Sequence, residues 1–394
     1  MQRRVWISAA AVALTATVAA AGLFGKKSDR PPEKPDVTTQ ATAEPATQES
    51  SKKAAKSVKL WTEPLPIAHG PLPTGMANAS AQGCSACHSE AHNQWQGSAH
   101  AAPPSDALLN AAAEANEPAC VQCHAPLQEQ HRQLWAYDSG DASTPRRFDN
   151  PGFSATLALE GVTCATCHVR DGAVVGTSKT PTPSPHPMVR SESLSDARSC
   201  APCHQLTWDG ADRPLYDTIG EWERSAYATA DVGCTTCHMA DGVGHAMALP
   251  LSQALSGILQ VPPAALTRGG APQEGTFILQ NTGAGHAIPT GSPYRSLRLK
   301  VVLMGPAKKG TEAVVHSEVL SADLARTLSD EPPWRTVSDT RLAAGAQQVW
   351  PVSIGLPVDA PTGKYTLIAS LFDVVAGEQS AEPVWQQRYP MPVN

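Results

Sequence analysis

The chain has 394 residues and a formal net charge of −6, which gives no sign of a nucleic-acid partner. Aromatic residues are 5% of the total, with five Phe, while Pro and Gly number 35 and 29. A chain this poor in bulky apolar side chains buries little hydrophobic surface by itself, so something else must fill its core.

The N-terminus begins with Arg3-Arg4, followed by an apolar run over residues 5–24 and then Lys26-Lys27. Residues 1–24 read either as a signal peptide, with Ala19-Ala20-Ala21 as the small-residue cleavage site, or as an N-terminal membrane anchor. About twenty apolar residues suffice to span a bilayer, and the lysines just past the run favour the anchor. No cysteine lies near the run, which excludes a lipoprotein. Residues 25–60 turn to Pro, Thr, Ala, Glu, Lys and Ser without periodicity, the composition of a disordered linker.

Ten cysteines follow, in five C-x-x-C pairs: Cys84/Cys87, Cys120/Cys123, Cys164/Cys167, Cys200/Cys203 and Cys234/Cys237. A histidine follows each pair directly: His88, His124, His168, His204 and His238. In such a motif two thiolates add to the two vinyl groups of one haem, and the adjoining imidazole meets the iron as proximal ligand. Zinc ribbons also use C-x-x-C pairs, but do not require a histidine after each second cysteine. A disulfide framework would show irregular spacings in a shorter chain. The reading is therefore five covalently attached c-type haems within residues 61–264. Haem is attached to such pairs outside the cytoplasm, so the chain is expected in the periplasm or at the cell surface, with residues 5–24 as an optional inner-membrane anchor.

The motif starts lie 36, 44, 36 and 34 residues apart, room for only a short helix and a loop between closely placed haems. An internal echo points to a repeated unit: Trp95-x-x-Ser98-x-His100-Ala101 matches Trp222-x-x-Ser225-x-Tyr227-Ala228, with Tyr in place of His.

Five proximal histidines leave eight others to supply sixth ligands. His100 follows His88 by twelve residues, after a Trp and a Ser that could pack the turn. His186 sits between Pro185 and Pro187, which hold the backbone extended. His245 follows His238 by seven residues in a Gly-rich stretch. His286 lies in the loop Asn281-Thr282-Gly283-Ala284-Gly285-His286-Ala287-Ile288-Pro289-Thr290-Gly291, whose glycines permit close approach to a bulky group. His131, in a segment read as helical over residues 126–137, is the fifth and weakest distal candidate. Without it, one haem is five-coordinate or bound by Met, with Met188 and Met247 in reach. His69, His92 and His316 read as surface residues, His92 packing on a haem edge.

Residues 265–394 hold no cysteine, and alternating apolar segments predict strands near 276–280, 297–303, 313–320, 348–354, 365–375 and 384–389. The expected fold class is α+β multidomain: a mainly helical, loop-rich pentahaem domain, then an antiparallel β-sandwich.

Several motifs carry a resemblance. Cys84-x-x-Cys87-His88 with Trp95-x-x-Ser98-x-His100-Ala101 resembles the cytochrome c-554/c-prime-like multihaem cytochromes. A pentahaem subgroup is closer still, through Cys123-His124-Ala125-Pro126-Leu127, Glu160-Gly161-Val162-Thr163-Cys164, Glu221-Trp222-x-x-Ser225-x-Tyr227-Ala228 and Gly283-Ala284-Gly285-His286-x-x-Pro289-Thr290-Gly291. The resemblance runs from about Pro66 to the C-terminus. It implies electron transfer through closely stacked, mostly bis-His haems and an immunoglobulin-like C-terminal domain. The prototype family has four haems and this chain five motifs, so its ligand pattern does not transfer haem by haem.

The leading expectation is an electron-transfer protein rather than an enzyme, with no catalytic residue assigned. Its partners would be a quinol-oxidising complex or dehydrogenase on one side, and a terminal reductase or a soluble or multihaem cytochrome on the other. The alternatives are an oxidoreductase acting on a small nitrogen or sulfur compound at one open haem, with Tyr227 as proton donor, and a haem-stacked filament subunit.

Overall fold

The helices that carry the cysteine motifs are one or two turns long: Ala81–Ser85, Pro118–His124, Cys164–His168, Ala201–His204 and Cys234–His238. Four of them stop at the motif histidine, because the next residue leaves helical backbone, as at Val169 (φ −117°, ψ 123°) and Gln205 (φ −138°, ψ 108°). Ser89–Gln96 is longer, at eight residues. Helices this short do not persist alone in water, so what surrounds them must hold them. This computed structural model describes residues 65–102, 118–138, 141–178, 183–239, 244–307 and 313–394. These residues lie within one compact unit. Residues 1–24 and 25–60, read as signal or anchor and linker, are outside the described residues. No described helix is long and apolar enough to cross a membrane.

The expected fold class needs correction: strand residues outnumber helical ones, and the cysteine-bearing part is not a mainly helical domain. A hairpin pairs Gln133–Asp138 with Asp141–Asp149, a small sheet joins Val169–Arg170, Ala173–Gly176 and Met188–Arg190, and Gln205–Leu206 pairs with Tyr216–Asp217. The helix expected over residues 126–137 is instead a short 3-10 turn, Gln128–Gln130, followed by the first hairpin strand. Trp135 and Tyr137 favour extended backbone, and the partner strand supplies the backbone bonds a helix would have made internally.

Beyond residue 254 two antiparallel sheets face each other. Gln273–Asn281 lies between Leu255–Gln260 and Gln347–Ile354 in one. In the other, Arg295–Pro306 lies between Ala313–Leu324 and Tyr365–Val375, and the latter also pairs with Glu378–Gln379 and Trp385–Met391. Alternate residues point inward: Leu297, Leu299, Val301 and Leu303 from one strand meet Leu367, Ala369 and Leu371 from its neighbour, with Phe277, Leu279, Val352 and Ile354 opposite. The described residues of the cysteine-bearing part have a much smaller cluster of Ile67, Ala79, Leu127, Leu157, Ala165 and Val169.

The two parts are bonded to each other. Arg326 donates to the carbonyls of Pro214 (2.7 Å) and Leu215 (3.3 Å), Thr336 N donates to Asp212 Oδ1 (3.0 Å), and Trp208 packs edge-on against Trp334. The loop that follows Gln273–Asn281 and leads into Arg295–Pro306 carries His286 towards the cysteine motifs.

Candidate functional site

Three pairs of histidine rings face each other. His100 stands against His204 with ring centres 6.3 Å apart, His168 against His245 at 6.1 Å, and His238 against His286 at 6.1 Å. Two rings on opposite sides of one metal ion would be separated by about 6 Å, from two metal–nitrogen bonds of about 2.0 Å and about 1 Å from each nitrogen to its ring centre. The residues therefore fit a bis-imidazole metal centre at each of these three places, and every pair contains one histidine from a C-x-x-C-H motif.

Four of the six rings are also held in one orientation. His168 Nδ1 donates to the Val175 carbonyl (2.8 Å), His238 Nδ1 to the Met247 carbonyl (3.0 Å) and His286 Nδ1 to the Ala287 carbonyl (2.9 Å). His100 Nδ1 lies 2.8 Å from the Met247 thioether sulfur, which can only accept. With Nδ1 engaged, Nε2 is the nitrogen left to bind a metal, the tautomer control expected around metal-ligating histidines. Burial keeps His100, His168 and His286 below the ordinary imidazole value of 6.5. His204 is pushed down to about 4, first by desolvation and then by His100, His238, His286 and His124. Its residue surface is nonetheless exposed. Neutral imidazole is the ligating form.

The cysteines show which motifs are neighbours. Cys84 is hydrogen-bonded to Cys164, Cys123 to Cys203, and Cys200 to Cys234. These contacts bring Cys84 and Cys234 down to about 7 and raise Cys164, Cys200 and Cys203. The charge of Cys167 reaches both Cys200 and Cys203. The first motif thus adjoins the third, and the fourth adjoins the second, third and fifth. Cys120 lies in the helix Pro118–His124. Cys87 is exposed, Cys237 is half-buried, and His88 lies close enough for its charge to lower His168.

Two distal candidates are placed differently. His131 is 6% exposed, with Nε2 bonded to the Ala125 carbonyl (2.6 Å) and its ring edge-on to Trp135. The hairpin strand that replaced the expected helix turns it inward against Ala125. His186 has Nδ1 2.9 Å from Ser184 Oγ, within its own extended loop. Neither faces a motif histidine in the ring pairs of the described residues.

Of the three histidines read as surface residues, His69 is buried. Its Nε2 meets Glu129 Oε1 at 3.1 Å, a pairing with no signature in the local sequence. His92 packs on Trp95 and His316 on Tyr365.

Sequence reading missed Gln94 and Arg341 altogether, and the contacts of Glu221 and Met247. Gln94 and Glu221 each stand directly before the Trp of the repeated Trp-x-x-Ser motif, a signal that could have found them. Met247 had entered only as a substitute ligand; its carbonyl and sulfur instead orient two histidines.

No family model matches the chain, and no curated protein matches it. Among solved structures, a penta-heme cytochrome c552 from Thermochromatium tepidum is 18% identical, covering 81% of this chain and 100% of that one, with a TM-score of 0.56. The sporulation control protein Spo0M from Bacillus subtilis is 13% identical over 36% of this chain and 49% of its own, with a TM-score of 0.19. The CARDB domain of the PF1109 protein from Pyrococcus furiosus is 11% identical, covering 36% of this chain and 90% of its own, with a TM-score of 0.20. Only the first carries an argument: this chain shares the fold of a penta-heme cytochrome.

Proposed function

We propose that this chain is an exported pentahaem c-type cytochrome that relays electrons between other redox proteins. The observation that carries this reading is the set of three facing histidine pairs, each pairing a motif histidine with one supplied from elsewhere in the chain. The cysteines of each motif would hold one haem by two thioether bonds. His204 and His100, His168 and His245, and His238 and His286 would ligate three of the irons from both faces. Haem supplies one-electron exchange between ferrous and ferric iron.

The rest is the work of this chain. Carbonyls of Val175, Met247 and Ala287 fix the tautomers of His168, His238 and His286, desolvation favours the neutral form of His100, His168, His204 and His286, and two protein ligands per iron would leave a substrate no coordination position at these three centres. Motif four, adjoining the second, third and fifth, would be the junction of the relay. The partners would be a quinol-oxidising complex or dehydrogenase on one side and a terminal reductase or another cytochrome on the other, in the periplasm or at the cell surface.

The test is the mass and haem content of the mature protein, followed by its low-temperature electron paramagnetic resonance spectrum with and without cyanide, nitrite or hydroxylamine. Five covalent haems, low-spin and indifferent to these ligands, are the expected result. A protein without haem would sink the proposal, and a high-spin haem that shifts with added ligand would replace the carrier with an enzyme.

A further inference from the structure

The echo in the sequence is also an echo in the bonding. Trp95 Nε1 donates to the Val162 carbonyl (2.7 Å), and Trp222 Nε1 donates to the Val232 carbonyl (2.8 Å). Each valine stands two residues before a motif cysteine, Cys164 in one case and Cys234 in the other. Each Trp is followed by a serine whose Oγ bonds back to the Trp carbonyl: Ser98 at 2.6 Å and Ser225 at 2.7 Å.

The residue before each Trp reaches the other side of the same histidine pair. Gln94 Oε1 accepts from the backbone N–H of His245 (2.7 Å), and His245 faces His168 of the Cys164 motif. Glu221 Oε2 accepts from the backbone N–H of Ala287 (3.1 Å) and from Thr290 Oγ1 (2.7 Å). Ala287 directly follows His286, which faces His238 of the Cys234 motif. The other Glu221 oxygen is paired with Arg341 Nη1 at 2.8 Å, both side chains less than a tenth exposed. Gly285 lets the loop come this close, since a Cβ there would press on Trp222 and Tyr227 at 3.2 Å.

We propose that Gln94-Trp95 and Glu221-Trp222 are two copies of one positioning clamp, each fixing both axial histidines of a single haem, the third and the fifth respectively. The inference rests on the haem reading above and goes further, by assigning two adjacent side chains to opposite faces of one iron. The Trp holds the backbone leading into the proximal histidine. The Gln or Glu holds the backbone of the distal one. Because both side chains leave consecutive positions of one short helix, the distance between the two ligands is set locally, although the histidines come from remote parts of the chain. In the first copy His100 follows in the separate 3-10 turn Ala99–Ala101 and faces a different motif, at His204; in the second, Tyr227 occupies that place.

The test uses the full-length holoprotein and reads haem content, spin state and cyanide binding. Gln94→Ala is expected to retain five haems and to convert one of them to a high-spin, cyanide-binding form. Glu221→Ala should do the same to a different haem, so that the double variant shows two of five. Glu221→Gln keeps an acceptor for Ala287 N–H and should restore the low-spin spectrum. Adding His286→Ala to Glu221→Ala should convert no further haem, whereas adding His245→Ala should convert a second. Five unchanged low-spin haems in both alanine variants would overturn the clamp while leaving the haem reading intact, as would conversion of the same haem by both. A wild-type protein lacking haem would instead remove the reading on which it rests. Should Glu221→Ala fail to accumulate, Gln94→Ala decides alone, since Gln94 has no buried charge partner to strand.

Discussion

Between residues 255 and 391 the chain closes on itself: Leu297, Leu299, Leu303 and Leu367 from one sheet and Phe277, Leu279 and Ile354 from the other are essentially inaccessible and share one core. Between residues 65 and 239 the described chain offers a cluster of six small or medium apolar residues and fills its interior with polar connections. Gln130 Nε2 donates to the carbonyls of Leu157, Glu160 and Gly161, and the Arg170 guanidinium bonds those of Ala165, Thr166 and Val169. Hydrogen bonds of this kind orient a chain but contribute modestly to its stability, about 1 kcal/mol each. One region thus rests on a continuous hydrophobic core, and the other on polar connections around a small one.

The strongest way to break this comparison is to block haem attachment. In a protein with the motif cysteines replaced by alanine, amide hydrogen exchange should lose protection across residues 65–239, while the strands Arg295–Pro306 and Tyr365–Val375 keep theirs. Equal loss in both regions would show that the sheets are not independent.

A smaller effect is expected from the reverse perturbation. Leu299→Ala or Leu367→Ala should cost about 2–5 kcal/mol in urea unfolding of the sheets, with no change in haem spin state. Smaller again is Arg326→Ala at the junction. Arg326 is 4% exposed and serves Pro214, Leu215 and Thr336. Its loss strands buried carbonyls and should cost about 1–3 kcal/mol, with exchange increasing at both the 208–217 segment and the strands Arg326–Leu328 and Thr336–Asp339.

The smallest effect is the pH dependence of the His69–Glu129 pair. The hydrogen bond from Glu129 raises His69 above 6.5. Burial pushes Glu129 up, but the hydrogen bond and charge of His69 more than reverse it, leaving it below 4.5. The His69 contribution is complete below 6.5 and is lost as pH rises through its raised value. The Glu129 contribution is complete above 4.5 and is lost as pH falls through its lowered value. The stability difference between wild type and Glu129→Gln should therefore be largest between pH 4.5 and 6.5 and shrink on either side. A flat difference would mean that the pair is not ionised in the folded protein.

Five of the six strands anticipated after residue 265 lie within strands of the structure and the sixth, 384–389, overlaps Trp385–Met391, because alternation of apolar residues is written locally at a period of two. The helical domain anticipated before them does not form. Trp135 and Tyr137 lie in a hairpin, and no periodicity within residues 126–137 announces the partner strand Asp141–Asp149. His245 and His286 stand opposite motif histidines, whereas His131 and His186 do not. Local sequence cannot separate these cases, since what distinguishes them is the carbonyl or motif helix that the tertiary structure brings alongside.

By itself the sequence determined the chemistry: ten cysteines in five pairs, each followed by histidine, are covalent and contiguous facts that need no fold to be read. The tertiary structure alone decided which histidine meets which, that the first motif adjoins the third and the second the fourth, and that Gln94 and Glu221 accept from the backbone N–H groups of His245 and Ala287. A thioether motif is built from residues three and four apart, within reach of one helical turn. A facing pair such as His100 and His204 spans about a hundred residues, and only the packing of everything between them sets the distance.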